Sequence, residues 1–596
     1  MKLQPKIADN QVVKVFFCLW QHVSMQRRKQ CGILFILTIM SSLSEMTSLG
    51  LTLPFIGILT GQHKIYTYPL IGRFLTFFRV ELGENILVPL AIAFGIFALV
   101  AGVLRLLLLW TTLYLGNAMG ADLGIDMYRK TLYQPYSVHV ARNSSEVISG
   151  ITQKTSIATG VIVSGVIFLT SLFVFSGIML SMLVIEPSVS MAAMLGFGTV
   201  YGLIAWSTRK RLIRNGQVIA QQQTAVMRSL QEGLGAVRDV LLDGTQEDYS
   251  NSYRRAALTL RRARTENTFI NQAPRYAIEA VAIVLVVLFV LFVSYRDHGA
   301  LDVLPILGFL ALSAQRLLPL MQQLYGNWSE VAGNGAALMD VLALLSQSLP
   351  AEATQPAPIP LAFSREIRLH NLSFQYGHHT PIILEKINLV IYKGARLGIF
   401  GRTGGGKSTM LDILMGLLEP TDGALLVDGQ IVNSKNRRAW QRTIAHVPQN
   451  IFLTDASITE NIAFGVPLEQ IDNLRVKDAA IRANAYEFIE KSPAGFETLV
   501  GERGVRLSGG QRQRIGIARA LYKRASVLCF DEATSALDSD TENDVMNAIE
   551  NLDKNLTIII IAHRLTTLKN CTNFVKLENY QIRSFSSYAH VELDCC

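Results

Sequence analysis

Leu397-Gly398-Ile399-Phe400-Gly401-Arg402-Thr403-Gly404-Gly405-Gly406-Lys407-Ser408-Thr409 is the stretch that decides the fold of the C-terminal half. Leu397 to Phe400 is a short apolar run that reads as a strand. Gly401 to Ser408 then spells G-x-x-x-x-G-K-[ST], and a helix is expected from Thr409 onward, the context a phosphate-binding loop requires. Glycines let backbone N–H groups turn inward around phosphates, and the positive end of the following helix adds a favourable field. On this reading Gly401, Arg402, Thr403, Gly404, Gly405, Gly406, Lys407, Ser408 and Thr409 line a nucleotide site. Lys407 reaches the β- and γ-phosphates, and the Ser408 hydroxyl coordinates Mg²⁺, so ATP and Mg²⁺ are the expected ligands.

Further along, Val527-Leu528-Cys529-Phe530-Asp531-Glu532 is an apolar strand ending in two carboxylates. Four apolar residues in a row suit a strand buried on both faces, which brings Asp531 beside the loop, where it can hold Mg²⁺ through water. Glu532 is then placed to polarise an attacking water. Short β-type runs alternate with polar helical stretches across 366–590, the pattern of an α/β domain.

Upstream the composition is different. The chain has 596 residues, of which 50% are hydrophobic and only 17% charged. Soluble proteins carry about 25% charge, so much of this chain lies outside water. Six stretches approach the roughly 20 apolar residues a membrane crossing needs: 32–59, 86–115, 157–184, 189–206, 277–294 and 301–321. The third and fourth are joined by Glu186-Pro187-Ser188, a tight hairpin. The polar connections 116–156 and 207–276 read as helices continuing out of the membrane, with short coupling helices near 135–149 and 233–246 whose place at the far ends of long helical pairs favours docking on the C-terminal α/β domain over solvated loops. They carry Arg129, Lys130, Arg142, Arg209, Lys210, Arg211, Arg214 and a cluster from Arg254 to Arg264. The other side holds only Lys64, Arg73, Arg79 and Arg296, so both termini are expected in the cytoplasm. The net charge of +9 is explained by these flanks and does not point to nucleic acid. Six cysteines without metal spacing give neither a disulfide framework nor a zinc site. Pro350, Pro356, Pro358 and Pro360 mark 346–365 as a linker. The expected organisation is a transmembrane domain over 1–345, that linker, a nucleotide-binding domain over 366–590 and a tail over 591–596.

Between the two nucleotide motifs lies Leu507-Ser508-Gly509-Gly510-Gln511, which resembles the signature of the ABC superfamily. The other motifs of that family follow in order. Tyr376 stands where the family stacks an aromatic on adenine, and Gln449 in Val447-Pro448-Gln449 resembles the Q-loop glutamine. Val500-Gly501-Glu502-Arg503-Gly504 resembles the X-loop of exporters, Ser535-Ala536-Leu537-Asp538 the D-loop, and His563 the switch histidine. The resemblance implies that Glu532, His563, Gln449 and Lys407 are catalytic, and that Ser508, Gly509, Gly510 and Gln511 of one chain close on ATP held by another. Ser408, Gln449 and Asp531 would attend Mg²⁺. A homodimer with two working sites follows.

Six spans ahead of the ATPase in one polypeptide imply the exporter arrangement: an all-α six-helix transmembrane domain followed by an α/β P-loop ABC ATPase domain. Charges inside the spans mark function by default, and Glu45, Arg105, Arg275, Glu279 and Arg316 are such charges. Arg275 and Glu279 lie one helical turn apart and can neutralise each other. Leu70, Ile71, Phe74, Leu75, Phe78 and Leu82 recur at helical spacing and suit a helix lying in the membrane interface or packed in a loop. The stretches Ser41-Ser42-Leu43-Ser44-Glu45, Leu53-Pro54-Phe55-Ile56, Ala273-Pro274-Arg275 and Arg316-Leu317-Leu318-Pro319 resemble the PglK-type flippases for lipid-linked oligosaccharides. That resemblance implies that Arg275 and Arg316 meet the pyrophosphate of a polyprenyl-linked sugar. Gln322 and Gln323 stand where that family carries a further basic residue, which points to a weaker or different site. The expected function is ATP-driven flipping of a lipid-linked saccharide across a bacterial inner membrane. Export of peptides, drugs or other lipids is the alternative.

Overall fold

The computed structural model describes residues 20–21, 23–59, 87–185, 187–294, 300–377, 379–532, 542, 555–562, 564–586 and 588–590. The hairpin residue Glu186, the segment 68–82, His563, the D-loop 535–538 and Cys18, Cys595 and Cys596 lie outside them.

Backbone polar groups in lipid have no water to bond, so a long apolar segment must satisfy them internally and forms helix. Among the described residues the N-terminal half of the chain runs through six long helices, interleaved with three short ones: α1 (Met25–Leu59), α2 (Leu87–Leu132), α3 (Tyr136–Ala141), α4 (Ser144–Ser149), α5 (Thr155–Ile185), α6 (Pro187–Gly235), α7 (Val237–Leu242), α8 (Gln246–Ser294) and α9 (Ala300–Leu345). Met25–Ser48, Ala91–Leu132 and Ser144–Val184 are, among the described residues, long and apolar enough to cross a membrane. The remaining expected spans lie on α6, α8 and α9.

At 1.5 Å per residue, the 49 residues of α6 and of α8 run roughly 70 Å, over twice the ~30 Å of a hydrocarbon core. The polar connections are therefore helical extensions, as their composition implied. They turn at short breaks. Asn143 caps α4 by accepting the Ser145 N–H at 2.9 Å, and a single π-helical turn, Gly150–Lys154, joins α4 to α5.

Within this half α9 packs on α5 and α6, and α8 packs on α6. Small and amide residues set the spacing where these helices pack beyond the expected spans. A Cβ on Gly216 would stand 2.1 Å from the Gly333 carbonyl oxygen, so α6 and α9 approach backbone to backbone there. Asn215 Nδ2 donates to Asn267 Oδ1 at 3.1 Å, and Asn271 Nδ2 to the Gly326 carbonyl at 3.1 Å.

The second compact unit comprises 350–596 together with 135–141, so α3 belongs with the C-terminal domain although its neighbours in sequence do not. An antiparallel sheet runs in the order β2 (Leu384–Tyr392), β1 (Glu366–Phe374), β4 (Asp422–Val427), β5 (Gln430–Ile431). A second sheet runs β10 (Gln581–Phe585), β9 (Asn573–Glu578), β3 (Arg396–Gly401), β8 (Thr557–Ile561), β7 (Val527–Asp531), β6 (Ile444–Val447). Five of its strands are parallel and only β10 is antiparallel. Buried parallel strands read as continuous apolar runs, and β8, Thr-Ile-Ile-Ile-Ile, is buried at every position. The order β3-β8-β7 is decisive for function. It brings to one edge the loop after β3, the residues after β8 and the carboxylates ending β7, where ligands of open α/β sheets bind.

The proline-bearing stretch 346–365 is fastened to this unit over its second half. Leu361 N donates to the Ala439 carbonyl at 3.0 Å, Phe363 meets Trp440 edge to face at 6.1 Å, and the Asp428 carboxylate accepts from three successive backbone N–H groups, Ser364 to Glu366.

Candidate functional site: a phosphate-binding loop and a transmembrane arginine pair on a buried glutamate

The loop after β3 takes its shape from its glycines. Gly401 has φ +144° and is paired with Leu577 of β9, and a Cβ there would stand 2.3 Å from the Leu577 carbonyl oxygen. Gly406 has φ +94°, and a Cβ would meet Ile383 Cγ2 at 2.9 Å. These two positions exclude side chains, which leaves a concave backbone in front of helix α10 (Lys407–Leu414). Lys407 Nζ donates to the carbonyls of Gly401 and Arg402 at 2.9 and 3.1 Å, so its ammonium arches over the loop. Burial pushes its pKa down, against the charges of Glu532 and Asp531.

Two further pairs complete this edge. The Ser408 hydroxyl donates to Asp531 Oδ1 at 3.5 Å, and burial pushes the Asp531 carboxyl upward, with nearby Glu532 adding to the shift. Gln449 Nε2 donates to Glu532 Oε2 at 2.7 Å. Glu532 itself holds φ +51°, a left-handed backbone uncommon for a residue with a Cβ. Such strain tends to collect at functional sites. Loop, lysine, serine, two carboxylates and glutamine thus converge as their motifs required. A glycine cradle, an ammonium and a hydroxyl beside a carboxylate are the donor set that a triphosphate with Mg²⁺ needs.

Tyr376 presents an exposed ring, edge-on to Phe374 at 5.0 Å, with its hydroxyl 3.2 Å from Thr409 Oγ1. Ser508 is the N-cap of α11 (Gly509–Tyr522): its hydroxyl accepts the Gln511 N–H at 3.2 Å, and Gln511 Oε1 accepts the Ser508 N–H at 2.9 Å. This capping box fixes the signature as a helix start and leaves Gly509 and Gly510 as bare N-terminal turns.

Several groups that the motifs did not single out support the site. Arg519 of α11 donates to the carbonyls of Phe452 and Asn461 at 3.0 and 2.9 Å, tying the signature helix to the segment that follows Gln449; burial lowers its pKa to about 10. Glu542 accepts from Thr567 at 2.9 Å and from Arg564, the residue after His563, at 3.2 Å. Asp412 of α10 is pushed up to about 6, first by burial and then by Asp531. Tyr136 of α3 is also raised by burial, and by its proximity to Asp412 and Tyr376.

In the transmembrane unit, Glu45 of α1 bonds Arg105 of α2 through one carboxylate oxygen and Arg316 of α9 through the other. They line a cavity of about 640 Å³ with Ser41, Ser171 and Gln323 on its wall. Ser171 Oγ donates to Gln323 Oε1 at 2.9 Å. Arg275 is not among the residues lining that cavity. Its Nε donates to Glu279 Oε1 at 2.8 Å, one turn along α8, and both side chains are exposed. Arg316 is therefore brought together with Arg105 and Glu45, and not with Arg275.

Comparison with known proteins agrees with both halves. The family described as ABC transporter matches residues 384–535, and the ABC transporter transmembrane region matches residues 31–320. The ATP-dependent lipid A-core flippase of Desulfotalea psychrophila is 42% identical over 231 residues, 39% of each chain. The Toxin RTX-I translocation ATP-binding protein of Actinobacillus pleuropneumoniae is 37% identical over 289 residues, 48% of this chain and 40% of that protein. The chain thus aligns with about two fifths of the length of these curated relatives. A bacterial Atm1-family ABC exporter solved with ATP bound shares the fold, with a TM-score of 0.75 over 96% of both chains at 21% identity. With a membrane-spanning region and an ATPase in a single polypeptide, each matched by an ABC transporter family, the chain belongs to the ABC transporters, and it shares the fold of an ABC exporter.

Proposed function

We propose that two copies of this chain form an ATP-driven exporter of a lipid-linked saccharide, an amphiphile with an anionic phosphoryl group, across a bacterial inner membrane. The observation that carries the cargo is the Arg105–Glu45–Arg316 cluster. Charges inside a membrane cost about 2.5–3.5 kcal/mol each on insertion scales and are kept where they serve a pathway or ligand. Guanidinium is the side chain best matched to phosphate, by its planar fork of donors.

The chain's own residues account for the ATPase half. Lys407 brings a buried positive charge over the loop. Gln449 holds the Glu532 carboxylate at 2.7 Å, aimed for a general base to take a proton from water. Ser508 to Gln511 head α11 and suit closing on a phosphate held by the other copy. Mg²⁺, held by Ser408 and, through water, by Asp531 and Gln449, would neutralise charge on the phosphates. The similarity to lipid A-core flippases favours a lipid cargo, and the similarity to toxin translocators keeps peptide export as a second reading.

Stimulation of ATP hydrolysis by cargo tests this directly. Polyprenyl-diphosphate oligosaccharide added to the reconstituted protein should raise hydrolysis several-fold, and Arg316→Ala should abolish that rise. Stimulation by a peptide and none by the lipid-linked saccharide would replace this reading with the second.

A further inference from the structure

Glu45 is enclosed and its two partners are not. Its side chain is 2% exposed, whereas Arg105 and Arg316 keep 53% and 28%. Each guanidinium carries five N–H donors and gives Glu45 one nitrogen. Donors therefore remain for the cavity, and the trio carries a net charge of one positive unit. The Ser41 hydroxyl, on the same wall and 1% exposed, has no hydrogen-bond partner among the described residues. A buried unpaired hydroxyl costs free energy unless something reaches it. The cavity thus has a positive face, an unsatisfied donor and a fixed negative charge directly behind the positive face.

We propose that Glu45 is the internal counter-anion of the cargo site. It holds Arg105 and Arg316 together as a pair, and its charge limits how tightly they grip a phosphoryl group, so that the cargo can leave. This rests on the anionic-lipid reading above and adds the residue that sets release. An anion bridging both guanidiniums sits within about 7 Å of the Glu45 carboxylate. At an effective dielectric near 20, one like charge at about 7 Å weakens binding by roughly 50-fold.

The test uses the full chain in phosphatidylcholine nanodiscs without nucleotide, titrated calorimetrically with farnesyl diphosphate. Glu45→Gln should bind at least tenfold more tightly than the wild type, with slower dissociation, and Arg316→Ala should lose binding. Equal or weaker binding by a monodisperse Glu45→Gln protein would overturn the proposal while leaving the lipid-linked saccharide reading intact. If Glu45→Gln does not fold, Glu45→Met takes its place: it should likewise bind at least tenfold more tightly than the wild type, and equal or weaker binding by the monodisperse protein would overturn the proposal. A wild type that ignores farnesyl diphosphate, with phosphatidylglycerol bound more tightly by Glu45→Gln, would remove the saccharide reading and keep Glu45 in its role. No binding of either probe by any variant would remove both.

Discussion

Replacing Glu532 with Gln separates chemistry from folding at the ATPase site. The side chain keeps its shape, and its amide oxygen can still accept the bond that Gln449 Nε2 now gives at 2.7 Å. The left-handed backbone at φ +51° is no more costly for Gln than for Glu. What changes is one charge-assisted hydrogen bond becoming neutral, about half as strong, so the domain should lose no more than about 1 kcal/mol. The amide cannot take a proton, and loss of a general base slows a reaction roughly 10²–10⁴-fold, equivalent to about 2.7–5.5 kcal/mol of barrier. The two effects differ enough to be read apart. Phosphate release by the purified protein should fall at least 100-fold, while ATP binding and the thermal transition stay near wild type. Turnover within about threefold of wild type would refute the role of Glu532.

Three other changes probe separate parts of the structure. Gly401→Ala places a Cβ 2.3 Å from a backbone oxygen that strand pairing holds in place; overpacking and backbone strain of about 2–4 kcal/mol should cut ATP affinity at least tenfold, and unchanged nucleotide binding would contradict the cradle geometry. Ser508→Arg should abolish hydrolysis in a dimer of identical chains, whereas mixing it with Lys407→Ala chains should restore one working site; a mixed dimer as inactive as either parent would speak against sites shared between chains. Asp412 is the pH probe. Its folded pKa of about 6, against 3.8 ordinarily, means the folded state holds the proton more tightly, so stability falls as pH rises between those values and the cost is complete above about 6. Two pKa steps correspond to about 2.7 kcal/mol, reduced to about 1–2 kcal/mol for a group only about half buried. Asp412→Asn should therefore raise the melting temperature of the nucleotide-binding unit at pH 7.5 and lose that advantage towards pH 4. An equal gain at both pH values would assign it to packing.

What was legible from sequence was what short-range spacing encodes. The strand–loop–helix around Lys407 and the apolar run into Asp531 and Glu532 carry their geometry within a dozen residues, and the parallel sheet then brings them together. The pairing of Arg275 with Glu279 was equally readable, because four residues make one turn. Glu45 bonds residues 60 and 271 positions away, on α2 and α9, and no periodicity announces which buried charges meet when helices from distant parts of the chain pack. The linker shows a related blind spot. Its prolines signalled an extended spacer, yet Leu361 and Phe363, too few to form a pattern, fasten it to the ATPase domain. By contrast, the short helix expected near 135–149 was legible as a docking element from its place at the far end of a long helical pair, and Pro135 to Ala141 does group with the nucleotide-binding unit. His563 and the D-loop 535–538 lie outside the described residues and stand on their motifs alone.

Transport is tested most directly in sealed proteoliposomes holding the purified protein and a fluorescent polyprenyl-diphosphate oligosaccharide, with an impermeant quencher reporting the leaflet that carries the label. With ATP on the side of the nucleotide-binding domains, the wild type should move label to the opposite leaflet in proportion to ATP hydrolysed, and Glu532→Gln should leave the distribution unchanged. Rapid hydrolysis by the wild type with no movement of the label would contradict the assignment of a lipid-linked saccharide as cargo.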